Sequence, residues 1–359
     1  MLLKSPNIIT LPIDRLRTLF PAIAFFGGFI WDALTIGRSV QFLDLWLLLG
    51  YLLAAAAILW WLGYKVSHQP AESPSPVEPG RFERVPYLLL QFLFGGLFSA
   101  LFIFYIKSAD HALALLLALV PGVLLVANEF IHDKYRKFTL TWALFGLCAM
   151  LLFNFLLPFM VGSIHFIWFY LSTLAGAGLV VLLRNITPGH PGKLGPVWLI
   201  AALLAIAYPL DVIPPVPLVK RDIGMGIVLE KSADQYLLTH EKPPIWEFWK
   251  VFEDDIHLEA GQRLYCVSMI FAPRGLSARL YHSWQYHDAR KGWVSTERIG
   301  FNLQGGRNNG FRGSTYKQNL WPGKWRVSVE TENGRTVAVH GFNVLAGTVD
   351  PDRLSVRRF

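Results

Sequence analysis

Charged residues are scarce in this sequence. They make up 16% of its 359 residues, whereas hydrophobic residues make up 53%. A typical soluble protein is about 25% charged. This shortage, together with a mean hydropathy of +0.39, argues against a single soluble enzyme and against a disordered chain. It is typical of a protein that crosses a membrane several times, provided that the apolar residues occur in runs of about 20.

Cysteines and recognisable catalytic motifs are also few. Cys148 lies in an apolar run and Cys266 lies alone in a more polar region, so neither a zinc site nor a disulfide framework is indicated. We interpret each as a small buried hydrophobic residue. The sequence contains no P-loop, dinucleotide fingerprint, Gly-x-Ser-x-Gly or His-Glu-x-x-His motif. We therefore expect no metal and no cofactor.

The few charges are unevenly divided along the chain. Residues 1–218 hold 23 charged residues, and residues 219–359 hold 35. We predict a multipass transmembrane domain over 1–218 and an ordinary extramembrane domain over 219–359, which is long enough to form its own core. The net charge of +8 is too mild to indicate nucleic-acid binding, but it suits attraction to anionic lipid head groups.

Seven apolar runs predict an all-α membrane bundle of about seven helices. Basic residues precede the first run, as in a signal peptide, but no small-residue cleavage site follows it. This run is therefore predicted to remain as a span. Several prolines interrupt the last run, and its outer end is expected to be extended. The runs are Leu19–Gly37, Leu45–Tyr64, Tyr87–Ile106, Ala112–Phe130, Leu140–Met160, Ile164–Leu183 and Val197–Leu218.

Basic residues predict the orientation of these spans. The N-terminal tail and the loops after spans two, four and six hold eleven lysines and arginines, whereas the opposite loops hold only Arg38 and Lys107. The positive-inside rule places the richer set in the cytoplasm. With an odd number of spans, the C-terminal domain lies outside, in the periplasm of a Gram-negative cell. Segment Ser67–Gly80, with four prolines, is predicted to be a flexible cytoplasmic linker.

The C-terminal domain is predicted to be all-β and sandwich-like. Short stretches rich in aromatic and β-branched residues are bounded by turn residues, as in Gly261–Ala272, Arg279–His287 and Trp325–Glu330. Asn333-Gly334 predicts a type I′ hairpin turn. Before these strands, Pro244–Asp255 predicts either an amphipathic helix near the membrane surface or a strand rich in tryptophan.

Five motifs lie within residues 256–345. They are His282-Ser-Trp284-Gln-Tyr286, Gly310-Phe-Arg-Gly-Ser-Thr-Tyr-Lys317, Pro322-Gly-Lys-Trp-Arg-Val327, Asn333-Gly-Arg335 and Gly341-Phe-Asn-Val344. With these motifs, the region resembles a family of C-terminal domains of unknown function, numbered 2914, that occurs on bacterial envelope proteins. The resemblance implies an envelope location and transfers no catalytic residue. The membrane region also resembles that of uncharacterised multipass inner-membrane proteins.

Ionisable and polar residues inside a membrane are costly, and they indicate candidate sites. Asp32, Asn154, His165 and Asp211 are all predicted in the outer half of the bilayer, and could form a polar pocket beneath the outer domain. The alternative is that the outer residues simply meet water, as Asp44, Asp110 and His111 would. Asp32, deeper in its span, is either a functional group or a helix-packing partner of Arg38 or of another polar residue.

Three further patterns have a structural and a functional interpretation. Glu129 and His132 have the i, i+3 spacing of a metal motif, but a solvated helix end explains them better. His282 and Trp284 would share one strand face, which we interpret as the core rather than as an acid/base site. Glycine pairs such as Gly95-Gly96, with Gly27-Gly28 and Gly176-Ala-Gly178, favour close helix packing or self-association.

The sequence therefore favours a non-enzymatic membrane protein whose β-domain binds a partner protein or an envelope glycan. A membrane enzyme or lipid-handling protein with an outward polar pocket is the first alternative, and a transporter is the second. No internal repeat supports the transporter. Exposed aromatic and arginine side chains are the candidate contacts of the β-domain; they are Trp293, Arg312, Tyr316 and Trp321.

Overall fold

Six helices form the N-terminal part of the described chain. The computed structural model describes residues 42–68, 81–128, 135, 138–232, 235–305 and 310–359. The first predicted span, with Gly27-Gly28 and Asp32, most of the proline-rich linker, and the Glu129–His132 pair lie outside these residues. The helices are α1 (Phe42–Ser67), α2 (Arg81–Ser108), α3 (Ala112–Asn128), α4 (Phe138–Val161), α5 (Phe166–Ile186) and α6 (Gly195–Ala207).

Four of these helices are long and apolar enough to cross a bilayer, and they coincide with four predicted spans. Two other predicted spans coincide with shorter apolar helices, α3 of 17 residues and α6 of 13. The predicted run 197–218 is helical only to Ala207, because the prolines from Pro209 onward cannot continue the helical hydrogen bonds. The four long apolar segments are Leu43–Ser67, Val85–Ser108, Phe138–Val161 and Phe166–Ile186.

Helix α4 lies at the centre of the bundle. Its side chains are mostly buried, and it packs against α5 with Gly176 at the contact. A Cβ at Gly176 would lie 2.7 Å from the backbone nitrogen of Met150, so only glycine permits this approach. Gly96 similarly admits the ring of Tyr51, 2.8 Å from its hypothetical Cβ, whereas Gly178 has no neighbour within 4 Å. Bundle packing therefore accounts for Gly96 and Gly176. Buried Cys148 fits the predicted small hydrophobic residue.

Eleven strands in three sheets form the C-terminal part of the described chain. The sheets have the orders β1-β5-β8, β4-β10-β9-β6-β7 and β11-β3-β2. All neighbouring pairs are antiparallel except β4 and β10. The strands are β1 (Val219–Gly226), β2 (Val228–Ser232), β3 (Gln235–Glu241), β4 (Asp255–Leu258), β5 (Leu264–Phe271), β6 (Ser277–Asp288), β7 (Gly292–Gln304), β8 (Phe311–Lys317), β9 (Gly323–Thr331), β10 (Thr336–Ala346) and β11 (Leu354–Arg358).

Two apolar cores hold the sheets together. The larger joins residues of the β1-β5-β8 sheet, such as Cys266, to residues of the five-stranded sheet, such as Trp284 and Val327. A smaller core with Phe252 and Val267 lies between the β1-β5-β8 sheet and the third sheet. Trp284 and His282 are fully buried, which confirms that this face of β6 belongs to the core. Cys266 is buried and free, as predicted.

The predicted hairpin joins β9 to β10, but its turn type differs from the prediction. A type I′ turn needs positive φ at two residues. Gly334 has φ +75°, whereas Asn333 is not among the described non-glycine residues with positive φ. The Thr331 hydroxyl accepts a hydrogen bond from the Arg335 N–H at 3.1 Å, which closes a longer turn than the two-residue type I′ form.

The segment Pro244–Asp255 is neither an amphipathic helix nor a strand. It contains a single turn of 3₁₀ helix at Ile245–Glu247, followed by turns and bends up to β4. Pro243 and Pro244 end the preceding strand, and the helical turn begins directly after them. The many large apolar residues of this segment therefore lie on an irregular loop at the surface.

Candidate functional site

The β-domain contacts one end of the helical bundle, and Asp110 is central to this junction. Asp110 lies in the turn between α2 and α3. One of its carboxylate oxygens accepts a hydrogen bond from the Lys220 ammonium, and the other accepts one from the Val339 backbone N–H. Lys220 is in β1 and Val339 is in β10. One carboxylate therefore joins the helices to the β1-β5-β8 sheet and to the five-stranded sheet.

A second set of contacts lies at Asp211, just beyond the end of α6. Its Oδ1 lies 2.8 Å from Nε of Arg335, and the buried Arg335 guanidinium stacks on the Tyr208 ring at 4.1 Å. Nε2 of His111 hydrogen-bonds the Asp211 carbonyl oxygen at 2.7 Å. Asp211 also adopts φ +56°, an unusual backbone conformation for a non-glycine residue.

A third contact brings the α4–α5 turn against the start of β6. The Ser277 N–H donates to the Gly162 carbonyl oxygen at 3.3 Å. Gly162 has φ +71°, and a Cβ there would lie 2.6 Å from the Gly275 carbonyl oxygen. A side chain at position 162 would therefore be strained and would also separate the two parts.

A small cavity of about 30 Å³ lies between these contacts, large enough for one or two water molecules. Asn154, His165 and Arg335 line it together with Phe169 and Tyr208. The Asn154 side chain is buried and interacts with the Tyr105 hydroxyl, but it makes no hydrogen bond of normal geometry in the described part of the chain. A buried amide without a hydrogen bond of normal geometry is costly, so the cavity is a candidate site for a small polar group.

The structure brings three of the four predicted intramembrane residues to this junction. Asn154 and His165 line the cavity, and Asp211 lies beside it through its pair with Arg335. The fourth, Asp32, lies outside the described residues. Arg335 was not predicted from the sequence. It follows the β9–β10 turn, and no local signal indicates that it meets a residue 124 positions earlier.

The four candidate residues of the β-domain lie in separate places. Trp293 lies on β7, where the Arg326 guanidinium stacks on its ring at 4.3 Å. Trp321 is 46% exposed and contacts the rings of Tyr286 and Trp325. Arg312 and Tyr316 lie on β8 in another sheet, where Arg263 stacks on Tyr316 at 4.9 Å. The structure therefore does not form one surface from all four.

Trp293 and Arg326 belong to a larger polar face of the five-stranded sheet. Nε of Arg326 donates to Oε1 of Gln285 at 2.6 Å. Farther along the same face, the Arg298 guanidinium stacks on the Tyr281 ring at 3.8 Å and lies 3.4 Å from the Glu330 carboxylate. Burial raises the pKa of Glu330, and the nearby Arg298 opposes this shift. We call this surface the aromatic–arginine face.

His282 points away from that face, into the core. Its Nε2 hydrogen-bonds the Ser268 hydroxyl and its Nδ1 hydrogen-bonds the Thr315 hydroxyl, both at 2.8 Å. Burial lowers the pKa of His282 to about 3, so the ring is neutral at physiological pH. Both ring nitrogens are used within the core, which leaves none for proton transfer to a ligand.

Comparison with solved structures gives no informative match. A β-glucosidase from Listeria innocua is 17% identical with a TM-score of 0.19, over 33% of this chain and only 17% of the enzyme. An immunoglobulin-like protein from Pseudomonas aeruginosa is 11% identical with a TM-score of 0.21, over 34% of this chain and 92% of that one. Scores this low carry no argument about fold or function.

Comparison at the sequence level identifies only a domain family. No curated protein gives a significant match to the chain. Residues 277–344 match the family described as "Protein of unknown function (DUF2914)", which confirms the predicted C-terminal domain of that family.

Proposed function

We propose that this protein is a bacterial inner-membrane protein whose β-domain binds an envelope glycan or a partner protein through the aromatic–arginine face. In this proposal seven helices anchor the chain. The β1-β5-β8 sheet and the five-stranded sheet form a β-sandwich on the periplasmic side. The shared core of those two sheets supports the sandwich. The family resemblance supports the envelope location.

The distribution of basic residues supports this orientation. The β-domain contacts the α2–α3 turn, the α4–α5 turn and the segment after α6. Lys65 and Arg184 lie in the last turns of α1 and α5, and Lys193 lies in the α5–α6 loop, at the other end of the bundle. Under the positive-inside rule, that other end faces the cytoplasm and the β-domain faces outward.

The observation that carries the proposal is the pairing of aromatic rings with arginines on an exposed sheet face. Tryptophan and arginine dominate the energetics of many binding surfaces. Here Trp293 is 39% exposed although Arg326 stacks on it, so the pair is held in place before a ligand arrives. A fixed ring flanked by guanidinium and amide groups suits a sugar ring or an extended peptide.

The test compares three alanine variants of the full-length protein in lipid nanodiscs. Binding would be measured to purified peptidoglycan sacculi by co-sedimentation, and to envelope proteins by quantitative cross-linking in cells. Trp293→Ala and Arg326→Ala are expected to reduce binding at least tenfold. Tyr316→Ala is the matched control, because it removes an aromatic side chain of similar exposure from the β1-β5-β8 sheet.

The outcomes show whether the aromatic–arginine face or another part of the β-domain is the binding site. Unchanged binding in both face variants would contradict the proposal. Reduced binding only in Tyr316→Ala would move the site to the β8 side of the domain. Trp321→Ala tests whether the neighbouring aromatic cluster extends the site, and a loss comparable to that of Trp293→Ala would include it.

A second candidate function is lipid handling at the junction, where the cavity would take only a small polar part of a head group. It is supported by the buried Asn154 amide, which has no hydrogen bond of normal geometry in the described residues, and by the nearby Arg335, whose charge is paired with Asp211. Native mass spectrometry of the protein, released from nanodiscs with phosphatidylglycerol, would detect a retained lipid. Asn154→Leu should then reduce retention without unfolding the bundle, whereas equal retention would exclude Asn154 from the site.

A further inference from the structure

The loop between β3 and β4 exposes several large apolar side chains. Ile245 is 93% exposed, Trp246 74%, Phe248 86% and Trp249 65%. We call residues 245–251 the tryptophan segment. Large apolar side chains of a soluble domain are normally covered, and a contiguous exposed group of them marks an interaction surface.

The two charged residues of the segment, Glu247 and Lys250, pair with each other and with Asp254. Nζ of Lys250 lies 2.7 Å from a carboxylate oxygen of Glu247 and 2.7 Å from one of Asp254. The side chain of Lys250 is 31% exposed, that of Glu247 is 25% exposed and that of Asp254 is 45% exposed. Within the segment, the charged side chains are therefore less exposed than the aromatic ones.

The base of the segment is firmly held. Phe252 is buried, and its ring contacts those of His240 at 4.7 Å and Phe359 at 6.0 Å. The Glu253 carboxylate accepts a hydrogen bond from the Asp254 N–H at 3.0 Å and pairs with Arg353 at 3.3 Å. The exposed rings therefore extend from a fixed base.

The segment emerges near the end of the helical bundle. The Phe252 ring contacts His340 at a centroid distance of 6.3 Å. His340 follows Val339, whose N–H donates to Asp110 in the α2–α3 turn. The last residue of the tryptophan segment, Val251, therefore directly precedes a residue that packs on His340, next to the Val339 contact with the helix ends. Where the helices cross a bilayer, this level is close to the lipid–water interface.

We propose that the tryptophan segment inserts into the lipid–water interface of the leaflet next to the β-domain. Tryptophan and phenylalanine favour that interface, where the apolar ring is buried and the indole N–H stays near water. The insertion would be a second attachment beside the Asp110 junction, and would fix the tilt of the domain over the membrane. It rests on the membrane location alone and is independent of any partner at the aromatic–arginine face.

Site-directed spin labelling of the full chain tests this insertion. Cys148 and Cys266 are both buried and would be replaced by alanine. Phe248→Cys would carry the label, in nanodiscs of phosphatidylethanolamine and phosphatidylglycerol. Collisions with oxygen, which concentrates in lipid, and with a water-soluble nickel chelate would be measured by electron paramagnetic resonance. The label is expected to collide at least threefold more with oxygen than with the chelate.

Two control positions calibrate the result. Leu174→Cys lies on α5 and is 58% exposed, so it should report lipid. Val294→Cys lies on β7 at the remote end of β6 and β7, so it should report water. If Leu174→Cys reports no lipid, the membrane location itself fails. If Leu174→Cys does report lipid, the result at position 248 decides the insertion.

Each result at position 248 either supports or overturns the proposal. A lipid pattern supports it, and replacing Trp246 and Trp249 by serine should then shift the label toward water. More collisions with the chelate than with oxygen would overturn it, because the segment would then lie in water and not in lipid. Low collision with both reagents also overturns it, because protein would then cover the segment, as a second copy or another part of the chain would.

Discussion

Arg335 pairs with Asp211 across the boundary between the strands and the helices. Nε of Arg335 lies 2.8 Å from Oδ1 of Asp211, and the guanidinium also stacks on Tyr208 and donates to the Tyr208 carbonyl oxygen. The Arg335 side chain is only 7% exposed. A buried guanidinium with three interactions on one segment ties the β9–β10 turn to the end of α6, and this pair borders the cavity lined by Asn154 and His165.

Removal of Arg335 is expected to loosen this junction. Arg335→Ala leaves Asp211 and the cavity without their cation, and should lower the free energy of unfolding by about 2–4 kcal/mol. Hydrogen–deuterium exchange should rise in 208–218 and 331–336 more than in the centre of the five-stranded sheet. Arg279→Ala is the control because that arginine is exposed on the sheet surface. Equal exchange in both variants would show that the pair does not hold the junction.

The β-domain is expected to lose stability on acidification. Burial lowers the pKa of His282 to about 3, whereas the unfolded ring titrates near 6.5. Between these values the unfolded state binds a proton that the folded state does not, so stability is full above pH 6.5 and falls as the pH drops. The slope is about 1.4 kcal/mol per pH unit for one such histidine.

His240, which is buried, and the partly buried His340 add to this effect, because desolvation lowers the pKa of each. Thermal unfolding followed by tryptophan fluorescence from pH 7.5 to 4.5 would measure the slope. His282→Gln should be less stable at pH 7.5, since the Ser268 and Thr315 hydroxyls lose a matched partner. Its stability should nevertheless depend less on pH than that of the wild type. An unchanged slope would exclude His282 as the titrating group.

The elements that could be predicted from the sequence are those set by local pattern. Long apolar runs predicted the positions of α1, α2, α4 and α5, because a helix in a membrane must satisfy its own backbone hydrogen bonds. The alternation around Trp284 predicted the buried face of β6, because side chains on a strand alternate between faces. Residue pairs that are far apart in sequence, such as Asp211 with Arg335, have no such signal.

Local pattern also explains the last run, but not the segment after β3. The prolines of the run 197–218 predicted an extended outer end, and α6 ends at Ala207 because proline cannot continue a helix. The segment Pro244–Asp255 has apolar residues at helical spacing, at 245, 248, 249 and 252, yet only a single 3₁₀ turn forms there. Its conformation is set by Phe252, which is anchored in a core formed by distant residues.

Close packing of α4 on α5 is expected to depend on Gly176. Gly176→Ala places a methyl group 2.7 Å from the Met150 backbone nitrogen, and a backbone atom cannot move aside cheaply. We expect a loss of about 1–3 kcal/mol in bundle stability. Gly178→Ala is the matched control, since no atom lies within 4 Å of its Cβ position. Thermal unfolding in nanodiscs would compare them, and an equal midpoint for both variants would contradict this packing.

The base of the tryptophan segment is expected to depend on Gly224 in β1. A Cβ at this position would overlap the Phe252 ring, which the rings of His240 and Phe359 hold in place. Gly224→Ala should therefore displace Phe252, lower β-domain stability by about 1–3 kcal/mol and raise hydrogen–deuterium exchange in 245–255. Gly341→Ala is the control in another strand, because its nearest neighbour, the Trp325 carbonyl oxygen, is 4.0 Å away. If 245–255 exchanges equally in the two variants, Phe252 does not anchor the segment.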